Sequence, residues 1–153
     1  MGSTAAESEA PIVDATAETG TSLLARRIGP VYTTQDLACW LVMPGRDQLT
    51  SKAVHKGVER RQLVGFLTND DQWVFPAWQF DRAADRLIPR HEVVTLWQRL
   101  PHDGVFSDVD LAAWMNTRLS SLDDGTAAER AAQRGADDKG LAVAVSRLRA
   151  RAA

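Results

Sequence analysis

Side chains suited to binding phosphate or the edges of bases are concentrated in one short stretch of the chain. They are Thr50, Ser51, Lys52, His55, Lys56, Arg60 and Arg61. On a helix, positions 52, 55, 56 and 60 share one face, because residues three and four apart are neighbours on the helix surface. Free backbone N–H groups at the start of such a helix favour phosphate, and Lys and Arg side chains reach phosphates and guanines in a major groove. The stretch therefore predicts a nucleic-acid interface, and a solvated helix face is the alternative.

No pattern in the sequence indicates catalysis, metal binding or cofactor binding. The motifs of P-loops, nucleophile elbows and zinc proteases are missing, and the three histidines are not spaced as ligands or as part of a triad. Three pairs of adjacent acids fall in predicted turns, where Asp bonds to the local backbone: Asp70–Asp71, Asp123–Asp124 and Asp137–Asp138. The single Cys39 lies in the run LACWL, which predicts a buried apolar filler. We therefore predict no catalytic residue, no metal and no cofactor.

Two helices and a hairpin are expected to position the basic stretch. The segment TTQDLACWL opens with Thr33 and carries Asp36 three residues later, close to a capping box, and MPGR then breaks the helix. A second helix is predicted from Ser51 to about Gln62. The runs LVGFL and QWVF, separated by the polar TNDDQ, predict a β-hairpin whose second strand ends at Pro76. This order is that of a winged helix-turn-helix, although the hairpin tip is acidic, unlike a wing that grips phosphate.

The second half of the chain is predicted to be helical throughout. Apolar residues recur at helical spacing in IPRHEVVTLWQRL, SDVDLAAWMNT, GTAAERAAQRG and KGLAVAVSRLRARAA. Pro89 is expected near the first turn of the first of these helices. Gly135 is expected at the C-terminal end of the third.

The stretch WVFPAWQF, residues 73 to 80, holds four of the ten aromatic residues of the chain. Trp78 and Phe80 are expected to join the two halves, each burying about 150–250 Å². Their expected partners are Leu96, Trp97 and Trp114. A platform for stacking nucleobases is the alternative. The predicted fold class is mainly α with a small β-hairpin: a winged helix-turn-helix-like module packed on a C-terminal helical bundle.

Charge and composition divide the chain into three parts. Residues 1–22 carry four acids, no base and almost no large apolar side chain, which predicts a disordered acidic arm. Residues 23–80 would form the winged module, and residues 81–153 a helical region. Arg26 and Arg27 are candidates for a minor-groove contact, with a solvated pair as the alternative. With no long apolar run and no secretory start, a cytoplasmic protein without a membrane partner is expected.

Residues 31 to 150 resemble antitoxins that carry an Xre/MbcA/ParS-type toxin-binding region. One part of the resemblance is FPAWQFD at 75–81, an aromatic-Gln-Phe segment between the N-terminal helices and the C-terminal bundle. The other part contains the matching residues Trp114, Met115, Thr117, Leu122, Thr126 and Glu129. Arg118–Leu119 stands where the family has Pro-Asn, Asp124 where Gly is usual, and Ala127 where a Pro opens a helix. Because these positions shape a partner-facing turn in the family, Arg118 and Asp124 become candidate partner-binding residues.

The resemblance implies two activities and a partner. The N-terminal module would bind operator DNA of its own operon, often as a homodimer, and the C-terminal region would cover a cognate toxin, commonly a RES-type enzyme that consumes NAD. The last helix, 139–153, would plug the toxin's active-site cleft with Arg147, Arg149 and Arg151. An ordinary terminal helix packed by its apolar residues is the alternative. For the whole chain, the alternative is an adaptor that does not bind DNA and uses the winged fold for protein–protein contact.

Overall fold

The computed structural model describes residues 20–42, 50–83 and 85–152. Within these ranges the helices are α1 Gly20–Ile28, α2 Thr34–Trp40, α3 Ser51–Glu59, α4 His91–Arg99, α5 Asp108–Met115, α6 Ala127–Arg134 and α7 Lys139–Ala152. The strands are β1 Val31–Thr33, β2 Phe66–Leu67, β3 Trp73–Pro76, β4 Phe80–Ala83, β5 Arg86–Pro89, β6 Arg118–Leu119 and β7 Gly125–Thr126. Short 3-10 turns cover Ala77–Gln79 and Ser120–Leu122. The chain is thus largely helical, with small antiparallel sheets.

The largest sheet has three strands in the order β1-β3-β2. The central strand β3 pairs with β1, where Val31 faces Pro76, and with β2, where Phe66 faces Val74. The hairpin formed by β2 and β3 confirms the predicted one, and Pro76 is the last residue of its second strand, as predicted. The other sheets are two-stranded: β4 pairs with β5, and β6 pairs with β7.

Polar side chains at the helix starts fix where the helices begin. Capping boxes, in which an N-cap hydroxyl and the carboxylate three residues later each accept a backbone N–H, open three helices. The pairs are Thr33 with Asp36, Ser107 with Asp110, and Thr126 with Glu129. Gly135 ends α6 with a φ of 92°, which favours glycine, so its predicted capping role is confirmed.

Several predicted elements differ from the structure. The second half is not helical throughout, because the β4–β5 and β6–β7 pairs interrupt it. Pro89 is the last residue of β5 and precedes α4, which begins at His91. Helix α3 ends at Glu59 rather than Gln62. Residues 20–22 of the predicted disordered arm lie in α1; residues 1–19 and the predicted break at 43–46 lie outside the described residues.

Cys39 is exposed, so its prediction as a buried filler is wrong. The buried side of α2 is supplied by Asp36 and Leu37, with Leu41 just after the helix. Positions 37 and 41 lie four residues apart on one face, and position 39 lies on the opposite side.

Two clusters of buried side chains form the interior. One contains Leu37, Leu41, Val54, Leu63, Phe75, Phe80 and Leu87, with Tyr32. The other contains residues of α1, β1 and β3 together with those of the last four helices, among them Leu96, Trp97 and Trp114. Trp78 packs on this second cluster and its Nε1 donates to the Ile28 carbonyl at 3.0 Å, whereas Phe80 lies in the first cluster. The predicted packing of the aromatic stretch on the helical half is therefore correct for Trp78 and wrong for Phe80. Residues on both sides of position 80 contribute to each cluster.

A completely buried amide side chain joins these parts of the chain. Gln79 accepts from the Val64 N–H at 2.7 Å, and its Nε2 donates to the Val64 carbonyl at 2.7 Å and the Pro76 carbonyl at 3.0 Å. Its own carbonyl accepts from the Arg90 N–H at 2.8 Å. Gln79 thus takes the place of a neighbouring strand for Val64, whose backbone groups are removed from water and need partners.

Replacing Gln79 with Leu keeps a side chain of similar size but leaves the Val64 N–H and carbonyl unpaired in the interior. Each unpaired group costs about 1–3 kcal/mol, so we expect Gln79→Leu to lower the free energy of unfolding by at least about 2 kcal/mol in urea denaturation. Gln133→Leu, at an exposed position of α6, is the control and should change it by less than about 0.5 kcal/mol. Equal effects of the two substitutions would contradict the assigned role of Gln79.

Candidate nucleic-acid interface

The buried side of α3 fixes the orientation of the helix in the molecule. Thr50 caps it, with its hydroxyl accepting from the Ala53 N–H at 3.1 Å. Val54 is fully buried, and Gly57 is buried beside Leu63. A Cβ at position 57 would lie 3.0 Å from the Leu63 Cδ1, so glycine allows the chain after the helix to fold back closely. The inner face therefore faces the core, and the opposite face is left for solvent or a ligand.

A left-handed residue reverses the chain at the end of α3. Arg61 has a φ of 56°, and the N–H groups of Gln62 and Leu63 both donate to the Gly57 carbonyl, at 2.9 and 3.2 Å. The Arg61 carbonyl accepts from Gln98 Nε2 on α4 at 2.8 Å. The end of α3 is thus held by its own backbone and by the helical half of the molecule.

The outer face of α3 carries exposed cations. Lys52, Lys56 and Arg60 are exposed, as is Ser51 at the first turn. Among the residues that the structure describes, no carboxylate forms an ion pair with these three cations. Glu59 is exposed on the same face and adds a carboxylate to it. The face therefore combines three unneutralised positive charges with one negative charge at its C-terminal end.

His55, a member of the predicted set, is turned toward the sheet. Its ring stacks on Trp73 with centroids 4.7 Å apart, and its Nε2 lies 3.3 Å from the Thr34 hydroxyl on α2. Trp73 in turn stacks on Phe75, with centroids 6.3 Å apart. The exposed residues Ser51, Lys52, Lys56 and Arg60 are thus distinct from His55, whose ring packs on the sheet, from the exposed Thr50, which caps the helix, and from Arg61, whose backbone reverses the chain.

The tip of the β2–β3 hairpin is acidic and closed by its own hydrogen bonds. The buried Thr68 hydroxyl donates to the Asp70 carboxylate at 2.7 Å and accepts from the Gln72 N–H at 3.0 Å. Asp71 adopts a left-handed conformation, and both aspartates are exposed. This tip would repel phosphate.

Arg26 and Arg27 lie in a helix and not in an extended arm. Arg27 forms an ion pair with Asp110 of α5 at 2.8 Å, and Arg26 is exposed. This hydrogen bond from Arg27, followed by that from Ser107, lowers the pKa of Asp110. The expected extended arm is therefore wrong, because both residues are helical and Arg27 ties α1 to α5.

Two of the predicted partner-binding residues come together in the β6–β7 turn. Arg118 Nη1 donates to the Asp124 carbonyl at 2.8 Å, and Asp123 and Asp124 both have left-handed backbones. The backbone N–H of Thr126 donates to the Glu129 carboxylate at 2.9 Å and lowers its pKa. This turn is charged and exposed.

The remaining predicted partner-binding residues lie on α7, whose inner side is packed by Leu141, Ala144 and Leu148. Arg147, Arg149 and Arg151 are exposed, and Arg149 donates to the Arg99 carbonyl at 2.7 Å. A groove of about 680 Å³ between α4 and α7 is lined by apolar side chains, among them Leu100 and Val145, and by polar ones that include Arg149. Arg149 therefore lies at an open groove rather than inside a formed site.

Comparison of the chain with protein families, with curated proteins and with solved structures finds no match. Among the described residues, no helix is both long enough and apolar enough to span a membrane. In the same residues, no group of three or more His, Cys, Asp or Glu side chains is arranged to hold a metal ion.

Substitutions within α3 should separate structural residues from exposed ones. His55→Ala removes an aromatic stack, so we expect it to lower the free energy of unfolding by about 1 kcal/mol. Lys56→Ala, one residue away on the exposed face, should change it by less than about 0.5 kcal/mol. Thermal and urea denaturation of both variants would measure the difference, and a larger loss for Lys56→Ala would show that the two roles are assigned wrongly.

Proposed function

We propose that this chain is a DNA-binding, antitoxin-like transcriptional regulator whose N-terminal half is a winged helix-turn-helix module. The observation that carries the proposal is the outer face of α3, where Lys52, Lys56 and Arg60 are exposed and without an ion-pair partner in the described residues. The opposite face of the helix fixes its position, so these unpaired cations are free to bind DNA phosphates. Such binding releases the counterions that the phosphates hold, which favours the complex. A major groove admits an α-helix of this kind.

The arrangement of the elements supports the winged module. Helix α1, strand β1, helices α2 and α3 and strands β2 and β3 follow one another, and β1 joins the hairpin in a sheet with β3 at its centre. In this topology the β2–β3 hairpin follows α3, and the stacking of His55 on Trp73 connects the hairpin to that helix. The helix is then carried by a small rigid unit.

A triple substitution tests DNA binding. Changing Lys52, Lys56 and Arg60 to Ala should abolish retention of DNA that precedes the gene in a mobility-shift assay. Where binding remains measurable, each lost phosphate contact should reduce the slope of log affinity against log salt by about 0.9. The control removes the same charge elsewhere, by changing Arg134, Arg147 and Arg151 of α6 and α7 to Ala. Equal binding by the two triple variants would contradict the proposal.

We further propose that the C-terminal half neutralises a cognate toxin, as the resemblance to the antitoxins implies. Support comes from the exposed Arg118–Asp124 turn and from the α4–α7 groove that Arg149 lines. Guanidinium groups are suited to occupy a site made for phosphates, such as those of a dinucleotide in an NAD-consuming enzyme of the RES type. Helix α7 would present Arg147 and Arg151 to that site.

Co-expression tests this second activity. If the protein encoded beside this gene arrests growth, the wild-type chain should restore it, and a variant with Arg147 and Arg151 changed to Ala should restore it poorly. Arg26→Ala with Arg86→Ala removes two exposed charges outside α7 and should behave as wild type. Full rescue by the α7 variant would remove these arginines from the interface.

An adaptor that binds protein and not DNA is the second candidate. The exposed Asp70 and Asp71 at the hairpin tip favour it, because they would face a phosphate backbone if the hairpin served as a wing. Under this alternative, no DNA would be retained at low salt by the wild-type chain, and affinity for a protein partner would depend weakly on salt.

A further inference from the structure

One face of the β2–β3 hairpin carries an apolar strip that is partly exposed. The strip consists of Leu67 and Trp73, which pair across the two strands, so their side chains lie on the same face of the sheet. Leu67 is 53% exposed, and Trp73 is half-buried. Trp73 stacks on Phe75 of the same strand, and Phe75 is buried in one cluster with Val54 of α3. The apolar strip is therefore the part of the α3-covered face that extends beyond the helix.

The apolar strip lies between two surfaces of opposite charge. On one side, the His55 ring stacks on Trp73 and joins the strip to α3, whose outer face exposes three cations. On the other side, the two strands lead into the turn that exposes Asp70 and Asp71. Three cations and Glu59 give the helix face a net charge of +2, and the two aspartates give the tip −2. Among the described residues, no ion pair involves either aspartate or any of the three cations.

This surface is complementary to itself. In a two-fold dimer both copies use the same patch, so every contact of one copy is returned by the other. A two-fold axis through the apolar strip sets strip against strip and brings the α3 face of each copy against the acidic tip of the other. Protein interfaces combine an apolar centre with a polar rim, and opposite charges across them fix the register. DNA does not fit the whole surface, because the acidic tip repels phosphate.

We propose that a second copy of this chain docks on this surface, with Lys52, Lys56 and Arg60 of each copy facing Asp70 and Asp71 of the other. The inference needs no DNA and goes beyond the proposed function. Because the dimer covers the outer face of α3, a second copy and DNA exclude each other wherever both bind. It is therefore a different dimer from one that holds an operator, in which the α3 faces stay free.

Exchanging the charges of the two surfaces tests the docking. The helix variant carries Lys52→Glu with Lys56→Glu, and the tip variant carries Asn69→Lys, Asp71→Asn and Gln72→Lys. The tip variant keeps Asp70, which accepts from the Thr68 hydroxyl, and Asn tolerates the left-handed backbone of position 71. Self-association of the full chain is measured by sedimentation equilibrium at low salt, where exposed charges are least screened.

We expect the wild-type chain to dimerise reversibly and each variant alone to associate at least about 10-fold more weakly, because each then meets its own charge. An equimolar mixture of the two variants should recover the wild-type affinity to within about 3-fold, since the negative helix of one faces the positive tip of the other. The control, Arg134→Glu with Arg147→Glu on α6 and α7, changes the charge by as much as the helix variant and should associate like the wild type.

A wild-type chain that stays monomeric at every concentration at low salt overturns the proposal. So do variants that associate as tightly as the wild type, and a mixture in which the two variants stay apart. The tip variant leaves the cations of α3 in place, so under the proposed function it still retains DNA in the mobility-shift assay. Loss of self-association with DNA retained therefore separates this inference from the DNA-binding proposal.

Discussion

The hydrogen bonds of the buried Gln79 amide are the constraint on which the rest of this structure depends. Val64 follows the turn that ends α3, and the Gln79 side chain pairs both of its backbone groups, at 2.7 Å in each direction. The same residue holds the Pro76 carbonyl through its side chain and the Arg90 N–H through its own carbonyl. Gln79 therefore joins the turn after α3 and the end of β3 through its side chain, and the start of α4 through its backbone carbonyl. Buried backbone groups must find partners, so this set of bonds admits few alternative packings.

Fixing the inner side of α3 leaves its charged side free. The helix is held by Val54 and Gly57 within, by its cap at Thr50, and by the bond from Gln98 to the Arg61 carbonyl at its end. Gln98 also lines the groove between α4 and α7, so the same side chain contacts the end of the proposed DNA-binding helix and the surface proposed to face a partner. The two proposed activities therefore belong to one packed unit, in which residues from both halves share both clusters of the core.

Local signals in the sequence predicted the local features well. The hydroxyl and carboxylate of the capping box at Thr33 and Asp36 lie three residues apart, and the turn between β2 and β3 is formed by a short polar run, so both can be recognised from neighbouring residues alone. Strands β6 and β7 have two residues each, which is too few to show the alternation that distinguishes a strand. Strands β4 and β5 lie in a segment whose apolar spacing also fits a helix.

The roles of Gln79 and His55 depend on partners that lie 15 and 21 residues away along the chain, Val64 and Thr34. Such pairings are set by tertiary packing and have no local pattern. The exposure of Cys39 has a similar cause, since which face of α2 is buried is decided by the elements that pack against it.

The most direct test of the central claim, that the outer face of α3 binds DNA, is NMR of the labelled full chain titrated with the duplex that precedes its gene. Backbone amide signals report the site of contact residue by residue, whether or not any substitution disturbs folding. The account predicts that the largest shifts fall on Lys52, Lys56 and Arg60, while Val64, held by Gln79 inside the core, changes little. Shifts confined to α6 and α7, or no shifts at low salt, would contradict it.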